Sequence, residues 1–569
     1  MTKWLTLVVT IVAAALLGVW SVRPPAPLPA SAAADRFSAE RAMADVRIIA
    51  RAPHPTGSAE NAAVHAHLVR RLEALGFSVR TVDAPLPPKS RDRLREWGSP
   101  VADTAMARTI VALRPGQDPV SPLVAVMAHY DSVWGSPGAA DDAAGVAAAL
   151  EVARAIPQAS QRRDLALILT DAEELGLVGA RAFFADGIAG DPLATRVGVL
   201  VNMETRGGGG RAAMFETGPG NGALMQLFAA NVADPAANSL AVKIYELLPN
   251  STDFTPAKLR GIPGVNFAFI GDAGLYHSPL ATPEALDRGA LQHLGAQGLD
   301  ITRALLTAPA LPERAPDTVF SDVLGTIIIA YPAWVGWLVL VAAAALAGVA
   351  VRGRGWRWRE IVAGVADGVA FALATAVLAY GVNMLSGADR KSNYYDRLAA
   401  LPRLEWQVLL LMAAALALTL AMAGRWRSLH GNWLGLFGLN FTLAIAVQAV
   451  LPAGAPVLAW PLLVAALGMA LHARLGAVAP ALAAVFGIAF AGNLAHFVML
   501  GIGPGMPAAV AVFAPLLLML LWPLLPPVPR RTALLAALVC IVLAAGLALW
   551  VRLDPLAPSV AVYSLKNGY

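Results

Sequence analysis

The chain has 569 residues, of which 57% are hydrophobic and only 14% charged, and its mean hydropathy is +0.60. This balance excludes an ordinary soluble single-domain protein and points to several membrane spans. The net charge of +5 is not a nucleic-acid signal, because the prominent arginines lie in short loops between apolar runs, where they orient a membrane protein.

The first apolar run, residues 4–20, follows Lys3 and precedes Arg23 and a Pro/Ala-rich stretch to about residue 34. Ala30-Ser31-Ala32 fits a small-residue cleavage pattern, but the length of the run favours a signal anchor. From about 36 to 310 the composition becomes that of a soluble globular domain. Ser58 to Gly76 predicts an amphipathic helix with a glycine stop. Segments 107–114, 123–128, 164–170, 197–203 and 265–270 predict strands. They are short, apolar and nearly continuous, as strands buried on both faces are. Helical stretches lie between them, for example 143–156. The alternation predicts an α/β three-layer sandwich with a mostly parallel central sheet. Sites in such sheets form at the carboxyl ends of strands.

After Pro312 the character changes. Eight apolar runs follow, at 325–351, 360–382, 406–424, 432–451, 457–473, 477–499, 507–525 and 532–551. Most approach the ~20 residues a helix needs to cross a bilayer, so the second half predicts an all-α transmembrane bundle. The expected division is an anchor and linker over 1–34, a catalytic domain over 35–312 and an eight-span domain over 313–569. The one cysteine, Cys540, sits in an apolar run, so no intrachain disulfide forms and cysteine says nothing of the compartment.

Five segments of the soluble domain carry metal-ligating residue types. His129-x-Asp131 follows a strand, and a carboxylate there can hold the second imidazole N–H while the first nitrogen binds metal. Asp141-Asp142 opens a helix after a Gly/Pro-rich loop; one acid there is an ordinary N-cap, but two in series are harder to explain that way, and a carboxylate bridging two cations fits Asp141. Glu173-Glu174 follows a strand, and adjacent positions point in different directions. One can therefore bind metal while its neighbour faces the attacking water as a general base. Glu204 ends a strand before Gly207–Gly210. Tyr276-His277 lies beyond the last predicted strand, and Tyr276 can donate to a developing oxyanion. Each segment alone has a bland structural reading. Together they supply one His and one terminal carboxylate per metal, a bridge and a spare base.

The segments Ala128-His-Tyr-Asp-Ser-Val133, Gly135-Ser-Pro-Gly-Ala139, Asp141-Asp-Ala-Ala-Gly145, Asn202-Met-Glu204, Phe215-Glu-Thr-Gly-Pro219, Ser251-Thr-Asp-Phe254 and Tyr276-His277 resemble the co-catalytic di-zinc exopeptidases. The likeness is to their membrane subgroup of endoplasmic-reticulum metallopeptidase and vacuolar membrane protease. It covers about 40–310 at motif level. It implies two Zn2+ ions, one with His129 and Glu204 as terminal ligands and one with Glu174 and His277, bridged by Asp141. It further implies Glu173 as general base, Asp131 as the residue orienting His129, Tyr276 as a stabiliser of the tetrahedral intermediate, and a cis peptide after Asp141. The family usually reads His-x-x-x-Asp-Thr at the last ligand, whereas this chain has Ala281 before Thr282, which puts the support of His277 in question.

The combined reading is a membrane-bound zinc metallopeptidase, an aminopeptidase by preference, acting on peptide substrates from a lipid bilayer, with no nucleic-acid partner and no oligomeric state assigned. A water between the zincs would lose its proton to Glu173, which then protonates the leaving amine. The rivals are a catalytically silent receptor or scaffold of the same fold, which retention of all five ligands disfavours, and a one-zinc acyl-transfer enzyme such as a glutaminyl cyclase, disfavoured likewise. A third is an accessory peptidase on a transporter-like bundle, resting on Asp367, Asn440, Gln448, Asn493 and His496. With Lys3 cytoplasmic and nine spans, the loops carrying Arg352, Arg354, Arg357 and Arg359, then Arg425 and Arg427, then Arg474, then Arg530 and Arg531 all fall inside. The catalytic domain is then expected outside the cytoplasm, in a bacterial periplasm or a eukaryotic organelle lumen.

Overall fold

The computed structural model describes residues 3–185, 190–390, 394–422, 428–554 and 560. The chain forms two compact units. One runs from Pro24 to Ala330 and includes Val560; the other takes the first helix and the chain from Tyr331 to the end of the last helix.

The soluble unit is built on seven strands: β1 Ser78–Pro85, β2 Met106–Arg114, β3 Leu123–His129, β4 Leu165–Thr170, β5 Val197–Thr205, β6 Ala213–Thr217 and β7 Gly264–Phe269. Their order is β1-β2-β4-β3-β5-β7-β6. The four central strands pair in parallel, and β1, β2 and β6 join antiparallel. The sheet is therefore mixed, with the expected parallel pairing confined to its centre. Every residue of β3, β4 and β7 is buried, which explains their unbroken apolar runs. The sequence pattern gave no sign of β1 or β6. The first is a half-exposed edge strand carrying Arg80 and Asp83, and the second has only five residues.

Helices cover both faces. Helix Ala143–Ala155 is buried along nearly its whole length and packs between the sheet and helices Ala39–Ile49 and Arg288–Thr307. Its alanines let three backbones approach closely. The buried Glu151 among them is satisfied by Arg41 at 2.7 Å and Arg154 at 2.6 Å. On the other face Phe183, Phe254 and Ala257 pack on Leu200, Ala125 and Ile168. The central strands thus point their carboxyl ends at one rim.

The apolar run expected as a span at 325–351 divides. Strands β8 Thr318–Val323 and β9 Ile327–Pro332 form a two-stranded ribbon, and helix begins only at Val335, leaving 17 residues to Val351. The β-branched run Ile327-Ile-Ile329 favours the extended form. Among the described residues, eight other helices are long and apolar enough to cross a membrane: Lys3–Val22, Trp358–Ala388, Leu401–Met422, Leu429–Val450, Pro456–Leu475, Val478–Gly505, Pro507–Leu524 and Arg530–Leu553. Pro507, Pro515 and Pro523 break the seventh of these into 3₁₀ turns around a short α-helix. The loop with Arg425 and Arg427 lies outside the described residues.

Four of the five polar residues singled out in the apolar runs make identifiable hydrogen bonds. Asn493 donates to Ser21 Oγ at 3.0 Å, Gln448 to the Ala333 carbonyl at 2.8 Å, and Asn440 to the Leu436 carbonyl of its own helix at 2.9 Å. His496 meets Glu405 at 2.6 Å. Such bonds hold helices together in a bilayer.

One packing contact in the soluble unit gives a test. A Cβ on Gly295 would lie 2.0 Å from the Phe37 ring, which is buried beside it. Gly295→Ala should therefore destabilise the domain by about 1–3 kcal/mol through overpacking, despite its gain in helix propensity. Thermal unfolding reads this, and a melting point at or above the parent's would refute the packing argument.

Candidate metal centre

The carboxyl ends of the four parallel strands deliver the chemistry. His129 is the last residue of β3, Glu204 lies next to the end of β5, and Glu173 and Glu174 follow β4 in a tight loop. His277 stands beyond β7, and Asp141 sits just before helix Ala143–Ala155. All five expected ligands are buried and come together.

Asp141 is the centre of the arrangement. Its Oδ1 lies 3.1 Å from His129 Nε2, and its Oδ2 lies 3.4 Å from His277 Nε2. Glu204 Oε1 is 3.5 Å from the same nitrogen of His129, and Glu174 Oε1 is 3.1 Å from that of His277. Two three-residue sets share one carboxylate: His129, Asp141 and Glu204 on one side, and Asp141, Glu174 and His277 on the other. The Asp141–Asp142 peptide bond is cis. Glu173 is half-buried, and its carboxylate lies within 4.8 Å of donor atoms of His129 and Glu174, one from each set.

The loops that carry these groups are pinned. Asp142 caps the following helix at Gly145 N–H (3.1 Å) and accepts the His129 N–H at 3.2 Å. Gly138 holds a positive φ of 65°, and a Cβ there would lie 2.6 Å from the Asp141 carbonyl, so only glycine lets this loop fold tightly. Ala172, Leu177 and His277 also hold positive φ, a costly conformation in residues with a Cβ, of the kind that gathers at functional sites. Asp131 was expected to orient His129. The nearest partner of His129 Nδ1 is the Asp131 carbonyl at 3.1 Å, with the carboxylate at 3.4 Å. That carboxylate instead accepts the N–H groups of Glu173 at 3.0 Å and Glu174 at 3.2 Å. It therefore fixes both ends of the site. With Nδ1–H donated to a carbonyl, Nε2 presents its lone pair to a metal.

Three supports were not read from the sequence. Asp171 accepts from Thr56 hydroxyl at 2.8 Å, from Arg108 N–H at 2.9 Å and from Ala172 N–H at 2.9 Å. Ser90 and Arg93 donate to the Leu175 and Glu174 carbonyls at 2.7 and 2.9 Å, clamping the same loop from helix Pro88–Glu96. Asp253, buried beneath the site, accepts from the Thr170 hydroxyl. It lies in the Ser251-Thr-Asp-Phe254 motif, but an acid after Ser-Thr reads as a helix cap and hides any other task. Ala281 acts through its backbone: its carbonyl accepts the Ala139 N–H at 3.0 Å, bracing the loop that leads to Asp141. Tyr276 stacks on His277 with ring centroids 3.7 Å apart.

The electrostatics favour neutralising the cluster by protons or a cation. Burial, then the neighbouring carboxylates, pushes Glu173 well above the carboxylate range and raises Glu174 and Glu204. Burial opposes charge on the imidazoles, yet the surrounding acids outweigh it. His277 rises to about 9, with Glu174 and Asp141 responsible, and His129 rises well above its usual value through Asp131, Asp141 and Glu204. Asp141 moves the other way, since the two histidines overcome its burial. Buried negative charge in such excess is stable only if neutralised by protons or metal.

Residues 109–302 match the sequence model of peptidase family M28. Endoplasmic reticulum metallopeptidase 1 of Homo sapiens is 31% identical over 302 residues, 50% of this chain and 33% of that protein. Vacuolar membrane protease of Lachancea thermotolerans is 28% identical over 338 residues, 57% of this chain and 34% of that one. The chain thus spans about a third of the length of these curated relatives. Among solved structures, an aminopeptidase from Aneurinibacillus sp. strain AM-1 superposes with a TM-score of 0.38 at 15% identity, covering 50% of this chain and 97% of that chain.

Asp131→Ala removes the acceptor that holds both glutamate N–H groups. Divalent-metal affinity should fall about 10–100-fold, the usual weight of a supporting carboxylate, with the far-UV spectrum unchanged. Chelator competition followed by metal analysis measures it, and a parental affinity would show that the loop needs no such anchor.

Proposed function

We propose that this chain, which carries a peptidase family M28 domain over residues 109–302, is a membrane-bound zinc aminopeptidase using two metal ions. The observation that carries the reading is Asp141, whose two oxygens face two different histidines. Ligand atoms about 2.0–2.1 Å from a tetrahedral ion lie roughly 3.3–3.4 Å apart. The separations of 3.1, 3.5, 3.4 and 3.1 Å around Asp141 fit that spacing on both sides. His129 and Glu204 would hold one ion, His277 and Glu174 the other, and Asp141 both.

The bound metals supply Lewis acidity, polarising the scissile carbonyl and making a water acidic near neutral pH. The remaining steps belong to the chain. Glu173 takes the proton of the attacking water and returns it to the leaving amine; a carboxylate held above its normal range by burial suits both transfers. Tyr276, which stacks on His277, would donate its hydroxyl to the developing oxyanion. Preference for a free amino terminus is supported by the excess of acidic side chains gathered at the site, which favours a cationic substrate end over a neutral blocked one.

The domain is placed outside the cytoplasm. The chain passes between its two units after residues 23 and 330. If Val335–Val351 crosses together with the eight longer helices, the count is nine. Alternating spans then put both junctions on one face, and the basic loops at 352–359, 474 and 530–531 on the other.

Two measurements test this reading. The zinc-loaded protein should hydrolyse aminoacyl arylamides and unblocked peptides but not their N-acetylated forms. Glu173→Gln should keep both metals and lose at least the ~10²–10⁴ of a proton-transfer group, whereas Glu174→Gln should lose metal. Near-normal turnover in Glu173→Gln would reject its role as base, and equal cleavage of blocked peptides would reject the aminopeptidase. Reporter fusions after residues 310, 356 and 428 should read outside, inside and inside. A cytoplasmic signal at 310 overturns the topology.

A further inference from the structure

A row of buried polar side chains leads away from Glu204 across the sheet. Asn202 and Glu204 point to the same face of β5. Asn202 lies opposite Asn266 on β7, and Asn266 lies opposite Glu216 on β6. Both asparagines are fully buried and Glu216 almost so, on a face that also carries the apolar Leu200, Ala125 and Ile168. Asn266 Nδ2 donates to Glu216 Oε2 at 3.0 Å and to Thr252 Oγ at 2.9 Å, while its Oδ1 accepts from Asn202 Nδ2 at 2.9 Å. The second hydrogen of Asn202 Nδ2 faces Glu204 Oε2 at 3.5 Å. At the far end Lys258 Nζ donates to Glu216 Oε1 at 3.2 Å.

The row has a direction. A carboxylate accepts only, so Glu216 requires the nitrogen of Asn266. That turns the Asn266 oxygen toward Asn202, which must answer with its own nitrogen. The remaining N–H then points at Glu204, and Asn202 Oδ1 is left buried without a hydrogen-bond partner. Flipping Asn202 would satisfy that oxygen no better and would set two oxygens against each other at 2.9 Å. The fold accepts an unsatisfied acceptor, which natural structures avoid, while a donor is kept on the outer oxygen of Glu204. Its inner oxygen, Oε1, is the one beside His129 Nε2.

We propose that Glu216 is a positioning residue for Glu204, acting through Asn266 and Asn202 to keep one glutamate oxygen hydrogen-bonded and turn the other to the metal shared with His129. Lys258, partly exposed, anchors the far end of the row by its ion pair with Glu216. The proposal rests on Glu204 being a metal ligand. It makes the two metal positions unequal: the ion of His129 and Glu204 depends on the row, and the ion of His277 and Glu174 does not.

The test is zinc titration of the full-length protein in detergent against a chelator series, resolving the two ions, with thermal melting of the metal-free form as a check on folding. Glu216→Ala should weaken one ion about 10–100-fold and leave the other at parental affinity. Glu216→Gln, which can still offer an oxygen to Asn266, should restore most of the loss. Lys258→Met should give a smaller loss in the same ion, and it keeps the question decidable if Glu216→Ala fails to fold. Glu204→Gln separates the two levels of the argument. If it loses an ion while Glu216→Ala and Lys258→Met retain both at parental affinity, the row has no positioning role. If Glu204→Gln itself retains both ions, the ligand assignment falls and the proposal with it. Equal weakening of both ions in Glu216→Ala also overturns it, because that is the mark of general destabilisation.

Discussion

Asp141 reaches toward His129 with one oxygen and toward His277 with the other, at 3.1 and 3.4 Å, in a largely buried place. Neither histidine can pair fully with it, and Glu174, Glu204 and Glu173 add further acids to the same volume. Such a cluster raises the energy of the fold unless protons or cations neutralise it. The surrounding structure is arranged to hold it in spite of that cost.

The support comes chiefly from backbone groups tied to buried carboxylates. Asp131 gathers two successive N–H groups, Asp171 gathers two more along with the Thr56 hydroxyl, and Asp142 joins the His129 strand to the helix that follows Asp141. Each bond is worth more than an exposed one, because it lies in a low-dielectric interior shielded from solvent. Positive φ at Ala172, Leu177 and His277 shows that local preference has been overridden there. Rigidity of this kind suits a site that must present fixed ligands to metal rather than adapt to it.

The helical unit follows different rules. Without water to compete, single polar side chains such as Asn493 and Gln448 suffice to register one helix against another. Their bonds to Ser21 and the Ala333 carbonyl give them structural employment, which weakens the transporter reading without removing it. Among the described residues the three groups of His and acidic side chains able to hold a metal all lie at the soluble site.

Much of this was legible in the sequence, where the signal was strong. Apolar runs gave the five interior strands to within two residues and most of the membrane helices, because burial on both faces, or in lipid, leaves few polar options. The five candidate ligands stood out because acids and histidines at strand ends have little structural reason to recur together. The edge strands β1 and β6 escaped notice, since a half-exposed or five-residue strand has no distinctive pattern. The ribbon at β8 and β9 was taken into a span because hydropathy does not distinguish a β-branched strand from a helix. The sequence by itself determined the class of the interior strands and of most membrane helices and the chemical inventory of the site, which are properties of composition and spacing. Which oxygen of Asp141 meets which histidine, that the Asp131 carboxylate holds Glu173 and Glu174 more closely than His129, and that Asn202 turns its nitrogen to Glu204 were decided only by the tertiary structure. Each depends on atoms brought within about 3 Å from distant parts of the chain, and hydrogen-bond direction at that range is set by geometry.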